Sequence, residues 1–305
     1  MRPCARPCWH MRENGPVTSA TRQPEIPTAA VPPRLIATDL DGTLLRDDKS
    51  VSPRTVAALA AAEDAGIEVF FVTGRPARWM DVVSDHVHGH GLAICGNGAA
   101  VVDLHGGPGA HRFVKVRELT RKNALDAVRL LRDAAPGTVY AVEQTYGFHQ
   151  EPAYPKLHLE LPDNLLPAEQ LLATGGPGDD EPVLKILAYH PDLDPDAFLT
   201  LARLAVGEHA TVTRSSPSAL LELSGPGVSK ASTLALCCAE RGISPAEVVA
   251  FGDMPNDVEM LTWAGRSYAM GNAHPAVVAA ASGRTDANNE DGVAVVIERL
   301  LAERV

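Results

Sequence analysis

The chain has no run approaching the roughly 18 consecutive apolar residues that a membrane-spanning helix requires. Arg2, Arg6 and Arg12 stand near its start, but no apolar signal-peptide core follows them. Basic side chains are in deficit, 27 against 38 acidic ones, for a formal net charge of -11. Nucleic acid and anionic membranes both demand a basic surface, so neither is an expected partner. Cysteine is scarce and odd in number, five in all. Cys4 and Cys8 lie in a polar, Pro-rich stretch, whereas Cys95, Cys237 and Cys238 sit among apolar neighbours. Such usage suits buried free thiols in a reducing cytoplasm. Cys4, Cys8 and His10 have no second ligand pair at zinc-site spacing.

What remains is an ordinary globular composition, 45% apolar, in a chain long enough for two domains. Residues 1–33 carry prolines and polar residues without periodicity and read as a disordered tail. From Arg34 strands and helices alternate. Arg34–Thr38, Ile67–Val72 and Leu92–Cys95 read as buried strands. Ser52–Ala65 reads as a helix with Ser52 as cap, Pro53 in the first turn and Gly66 as stop, and Arg78–Val87 as a second. This βαβαβ order predicts an α/β fold, a doubly wound parallel sheet with helices on both faces.

Residues 101–223 break the rhythm. Val101–Leu104, Phe113–Val116, Thr138–Glu143, Leu157–Leu161, Val183–Tyr189 and Ala219–Leu223 look like strands, with helices over Thr120–Ala134 and Pro195–Ala205. An inserted α+β domain is expected there. After Gly225-Pro226-Gly227 the doubly wound pattern resumes through 224–305, so 34–100 and 224–305 form one split domain.

In such sheets ligands bind outside the carboxyl ends of the strands. The first strand delivers Asp39 and Asp41, two apart and therefore on one face. Asp-Gly is also a hairpin signal, but the strand context favours a site. The second strand delivers Thr73-Gly74-Arg75, the third Gly96-Asn97-Gly98, and Val248–Phe251 delivers Gly252-Asp253-Met254-Pro255-Asn256-Asp257. Carboxylates so gathered would repel one another and an anionic substrate unless a hard divalent cation such as Mg2+ sat among them. Glycine N–H groups and the Thr73 hydroxyl are ready phosphate donors, and Lys230, opening a helix at the same edge, supplies a fixed positive charge.

The set resembles the haloacid dehalogenase-like phosphatases. Asp39-Leu40-Asp41-Gly42-Thr43, Thr73, Lys230 and Gly252-Asp253-Met254-Pro255-Asn256-Asp257 match that family's four motifs in order. The insertion between the second and third motifs is similar to the α/β cap of the Cof-like branch (type IIB), as are Asn97-Gly98-Ala99 and Asp291-Gly292-Val293. The resemblance implies a cytoplasmic, Mg2+-dependent phosphatase of small phosphorylated metabolites such as sugar phosphates. Asp39 would be the nucleophile and Asp41 the general acid and base. Asp253 would bind Mg2+ with Asp39 and the Asp41 carbonyl, with Asp257 supporting the metal or orienting Lys230. Thr73, Gly74 and Lys230 would hold the phosphoryl group, with Arg75, Asn97 and Asn256 beside it. A phosphomutase using the same aspartyl-phosphate and a non-catalytic phosphosugar-binding regulator are the competing functions. His86, His88 and His90 read as a solvated loop, and His149, His158 and His190 as surface or packing residues.

Overall fold

A computed structural model of the chain describes residues 31–84, 91–157 and 161–303. The expected tail, the zinc-like trio Cys4, Cys8 and His10, and His86, His88, His90 and His158 lie outside those residues, apart from tail residues 31–33.

The strands are β1 (Leu35–Thr38), β2 (Glu68–Val72), β3 (Leu92–Cys95), β4 (Ala100–Asp103), β5 (Arg112–Val116), β6 (Val139–Gln144), β7 (Phe148–Gln150), β8 (Asn164–Leu165), β9 (Val183–Tyr189), β10 (Thr211–Thr213), β11 (Leu220–Ser224), β12 (Val248–Gly252), β13 (Arg266–Ala269) and β14 (Gly283–Arg284). The helices are α1 (Pro53–Asp64), α2 (Asp81–Ser84), α3 (Arg121–Ala134), α4 (Ala168–Leu171), α5 (Pro195–Val206), α6 (Lys230–Glu240), α7 (Val258–Trp263), α8 (Pro275–Ala280) and α9 (Gly292–Ala302).

The first sheet runs β14-β13-β12-β1-β2-β3-β4-β5, parallel as far as β3. Its central strands are apolar apart from Thr38 and Glu68 at their ends, because both faces are covered. Ile36, Val69, Phe71, Val249 and Phe251 pack toward Leu59 of α1 and Ile297 of α9. The alternate residues Leu35, Ala37, Phe70, Val72 and Ala250 pack toward Leu234 of α6, Met260 of α7 and Val277 of α8. This period of two places consecutive side chains in opposite cores.

The second sheet runs β10-β11-β9-β6-β7-β8. One face, with Tyr140, Val142, Ile186, Ala188, Leu221 and Leu223, packs on Val128 and Leu131 of α3 and Phe198 and Ala202 of α5. The other face carries Glu143, Lys185, Leu187 and Glu222 and faces a cavity shared with the first sheet.

Three expectations change. The insertion was expected to start at residue 101, but β4 and β5 continue the first sheet as its antiparallel edge, hydrogen-bonded back onto β3. The tight Gly96-Asn97-Gly98 connection, with Asn97 at φ 55, turns the chain straight back and so holds the hairpin there. The helix expected over Arg78–Val87 is, within the described residues, a 3-10 turn at Ala77–Trp79 followed by α2. Leu157 and Leu161 belong to no strand, while β7, β8 and β10 had not been expected, each being three residues or fewer. No helix among the described residues is long and apolar enough to cross a membrane.

Candidate active site

Asp39 stands one residue past β1, its N–H donating to the Phe251 carbonyl at 3.1 Å, so it is held between β1 and β12. It is 5% exposed. Lys230 begins α6 directly after Ser229, which closes a capping box with Ser232 and so sets where the helix begins. The Lys230 ammonium lies 2.6 Å from Asp39 Oδ1 and 2.7 Å from Asp257 Oδ1. Burial disfavours that ammonium charge, but Asp257 and Asp39 outweigh it and raise the Lys230 pKa. Burial pushes the Asp39 carboxyl up most strongly; Lys230 opposes this, while Asp257 and Asp253 add to it.

Asp257 already accepts three hydrogen bonds. Its second oxygen accepts the N–H groups of Asp253 and Met254, each at 3.0 Å. Asp253 accepts the Thr43 hydroxyl at 2.9 Å and is 6% exposed. Burial, then the charge of Asp257, lifts its carboxyl to about 7. Oxygens of Asp39, Asp253 and Asp257 lie within 4.8 Å of one another. With Asp257 spent on Lys230 and backbone donors, Asp39 and Asp253 are the ones left to face a cation. The donor set is all oxygen, as Mg2+ demands. Gly42 makes the approach possible: at φ +76, a Cβ there would stand 2.3 Å from Asp253 Oδ2.

Asp41 is held differently. Arg75 grips it bidentately, Nε to Oδ2 at 2.6 Å and Nη2 to Oδ1 at 2.7 Å, and Lys49 reaches Oδ1 at 2.9 Å. Partial burial would raise its pKa, but these cations prevail and bring it to about 2. Arg75, expected beside the phosphoryl group, therefore binds the carboxylate expected to act as acid. Thr73 is buried, and its hydroxyl accepts the Arg75 N–H at 3.1 Å. The Gly74 carbonyl accepts the Lys185 ammonium at 2.7 Å. Asn97 does not line the cavity; its Oδ1 accepts the Asn256 side chain at 3.0 Å. Asn256 does line it, and its Oδ1 is buried without a hydrogen-bond partner. His149 and His190 are buried packing residues, bonded to Gln144 and to the Pro136 carbonyl.

The cavity, about 310 Å³, lies between these strand ends and the second sheet. Sequence reasoning missed its far wall: Lys49, Arg78, Trp79, Glu143, Phe148, Lys185 and Glu222. A signal existed, since Glu143, Lys185 and Glu222 each follow directly on apolar residues within a strand.

A doubly wound sheet bearing two aspartates, a lysine and an acidic loop at adjacent strand ends, under a second α+β layer, defines a covered hydrolase of the phosphoryl-transfer type. A sequence profile of the haloacid dehalogenase-like hydrolases matches residues 36–297. The chain is 30% identical over 271 residues to the 5-amino-6-(5-phospho-D-ribitylamino)uracil phosphatase YitU of Bacillus subtilis, covering 86% of this chain and 95% of the relative. It is 27% identical over 267 residues to a phosphoglycolate phosphatase of Methanoculleus marisnigri, covering 87% and 96%. A haloacid dehalogenase phosphatase from Bacteroides thetaiotaomicron shares the fold at a TM-score of 0.73 and 24% identity, covering 90% of this chain and 97% of its own. The chain belongs to the haloacid dehalogenase-like hydrolases, as an enzyme of their Cof-type phosphatase branch.

Proposed function

We propose that the protein is a Mg2+-dependent phosphomonoesterase that cleaves small phosphorylated metabolites, sugar phosphates among them, through a phosphorylated Asp39. The observation that carries this reading is the buried Lys230 bridging Asp39 and Asp257, with Asp253 beside them to face a cation. Asp39 and Asp253 would hold Mg2+, which when bound offsets negative charge on the phosphoryl oxygens.

The chain's own groups do the rest. Lys230 aligns Asp39 and favours its ionised form against burial, and the carboxylate oxygen attacks phosphorus as the ester P–O bond breaks. Asp41, having taken up a proton from solvent, gives it to the departing alkoxide and later takes one from the water that cleaves the acyl phosphate, restoring Asp39. Asp41 cannot give up a proton while Arg75 and Lys49 both grip it. Entry of the phosphoryl group gives these cations a second anion, and they turn toward it as Asp41 is released. Thr73, the Gly74 N–H and Asn256 hold the remaining phosphoryl oxygens. The second sheet acts as a cap that excludes water and shapes the leaving-group pocket. The buried free thiols Cys95, Cys237 and Cys238 suit a reducing cytoplasm.

The test is release of inorganic phosphate from sugar phosphates, ribitylaminouracil phosphate and phosphoglycolate, with Mg2+ and with a chelator. Asp39→Asn should lower the rate by about 10⁴-fold or more. An unchanged rate removes Asp39 as nucleophile, and phosphate appearing only on a second sugar makes the enzyme a transferase.

A further inference from the structure

The leaving-group end of the cavity holds charges of both signs, all of them already matched. Arg78, in the turn after β2, grips Glu143 of β6 bidentately, and the Glu143 side chain is 3% exposed. The Arg78 guanidinium lies 5.7 Å from the Trp79 ring and 5.5 Å from the Phe148 ring, which screen it from water. Lys185 of β9 is 2.5 Å from Glu222 of β11 and also bonds the Gly74 carbonyl; both side chains are 6% exposed or less. Burial raises the Glu222 carboxyl, but Lys185 and the Ser215 and Asn97 hydrogen bonds outweigh it and keep it ionised. Glu143 and Lys185 are direct cross-strand neighbours, so the two pairs form one patch on the open face of the second sheet. Among the described residues, each cation lining the cavity has a carboxylate partner, since Lys49 and Arg75 hold Asp41.

This arrangement decides which leaving groups fit. A second anionic group would have to displace Glu143 from Arg78 or Glu222 from Lys185, leaving a buried carboxylate unpaired beside another negative charge. A hydroxyl faces no such cost. Each carboxylate has about four lone-pair sites, more than its present donors use, and can accept O–H donors from a neutral ligand. Phe148, Leu187 and Leu220 supply an apolar wall for the C–H faces of such a ligand. The volume of about 310 Å³ is at the small end of the roughly 300–1,000 Å³ usual for ligand sites.

Resting on the phosphatase reading above, the geometry points to Glu143 and Glu222 as specificity residues that select monophosphate esters with a neutral, hydroxyl-bearing leaving group. They reject esters that carry a second anionic group. The phosphoglycolate of the archaeal relative belongs to the rejected class.

The test uses the full-length protein with Mg2+ and three esters: a hexose 6-phosphate, the matching hexose 1,6-bisphosphate and phosphoglycolate. The wild type should prefer the neutral hexose ester by about 100-fold in kcat/KM over both others. Glu143→Gln keeps the shape but removes the charge opposing Arg78. It should raise kcat/KM for the two anionic esters and narrow the preference about tenfold. A purely structural role for Glu143 would lower all three rates in proportion and overturn the proposal. Wild-type rates within about threefold of one another would overturn it too. If no ester is hydrolysed, the phosphatase reading fails instead. Thermal stabilisation by the same three esters then decides the charge preference on its own, stronger stabilisation by the hexose 6-phosphate supporting it and equal stabilisation ending it.

Discussion

Raising the pH should weaken the metal-free protein over a range where carboxylates usually have no further effect, and Mg2+ should restore what is lost. The cause is Asp253, whose carboxyl rises from 3.8 to about 7 through burial first and the charge of Asp257 second. Between those values the folded chain binds a proton that the unfolded chain does not. Stability attributable to this group is therefore complete below pH 3.8, falls as pH climbs to about 7, and is level beyond. A rise from 3.8 to about 7 corresponds to about 4 kcal/mol. At roughly 2–4 °C per kcal/mol for a chain of this size, Tm should drop on the order of 10 °C between pH 4 and pH 8.

Asp41 does not interfere. Its pKa is lowered to about 2, so its stabilisation is present above 3.8 and is lost only as pH falls through about 2. Asp39 shifts in the same direction as Asp253 and steepens the slope. A cation that occupies the site competes with those protons, so Mg2+ should stabilise more at pH 8 than at pH 5. The assay is thermal denaturation from pH 5 to 8 in chelator and in saturating Mg2+, on the wild type and on Asp253→Asn. The variant should flatten the metal-free profile and lose most of the Mg2+ effect. Equal Mg2+ stabilisation at pH 5 and pH 8, or an unchanged slope in the variant, would refute the reasoning.

Lys230→Met leaves Asp39 and Asp257 buried and unpaired, so the urea midpoint should fall by the equivalent of about 3–5 kcal/mol, with phosphate release abolished. A midpoint within 1 kcal/mol of wild type, on the usual linear extrapolation, would mean the ammonium is not the partner of both carboxylates. Gly98→Ala places a Cβ 2.3 Å from the Ser229 carbonyl, at φ +103, and pushes on the residue that starts the Lys230 helix. Its kcat should drop about tenfold or more, and unchanged kinetics would show that the helix start can move freely.

Which parts of this were readable beforehand depended on the range of the interaction. Asp39 and Asp41 were legible because an apolar strand, its end and the two-residue spacing all lie within one short segment. The same holds for Thr73 after β2 and Asp253 after β12. Arg75 was legible as a strand-end residue, but its grip on Asp41 was not, because that partner is 34 positions away and on another strand end. Strands β4 and β5 were recognised by their residues yet assigned to the wrong layer. A period-two pattern says that one face is buried but not which sheet buries it.

The amino-acid order by itself determined the doubly wound core, the strand ends and the residues presented there, since each follows from local periodicity, capping and turn chemistry. Only the tertiary structure decided how the charges are shared. It put Lys230 between Asp39 and Asp257, and Arg75 and Lys49 on Asp41. It also turned Glu143, Lys185 and Glu222 toward the cavity in matched pairs. Ion pairing and desolvation depend on distance and burial in three dimensions, and these partners come from segments far apart in the chain.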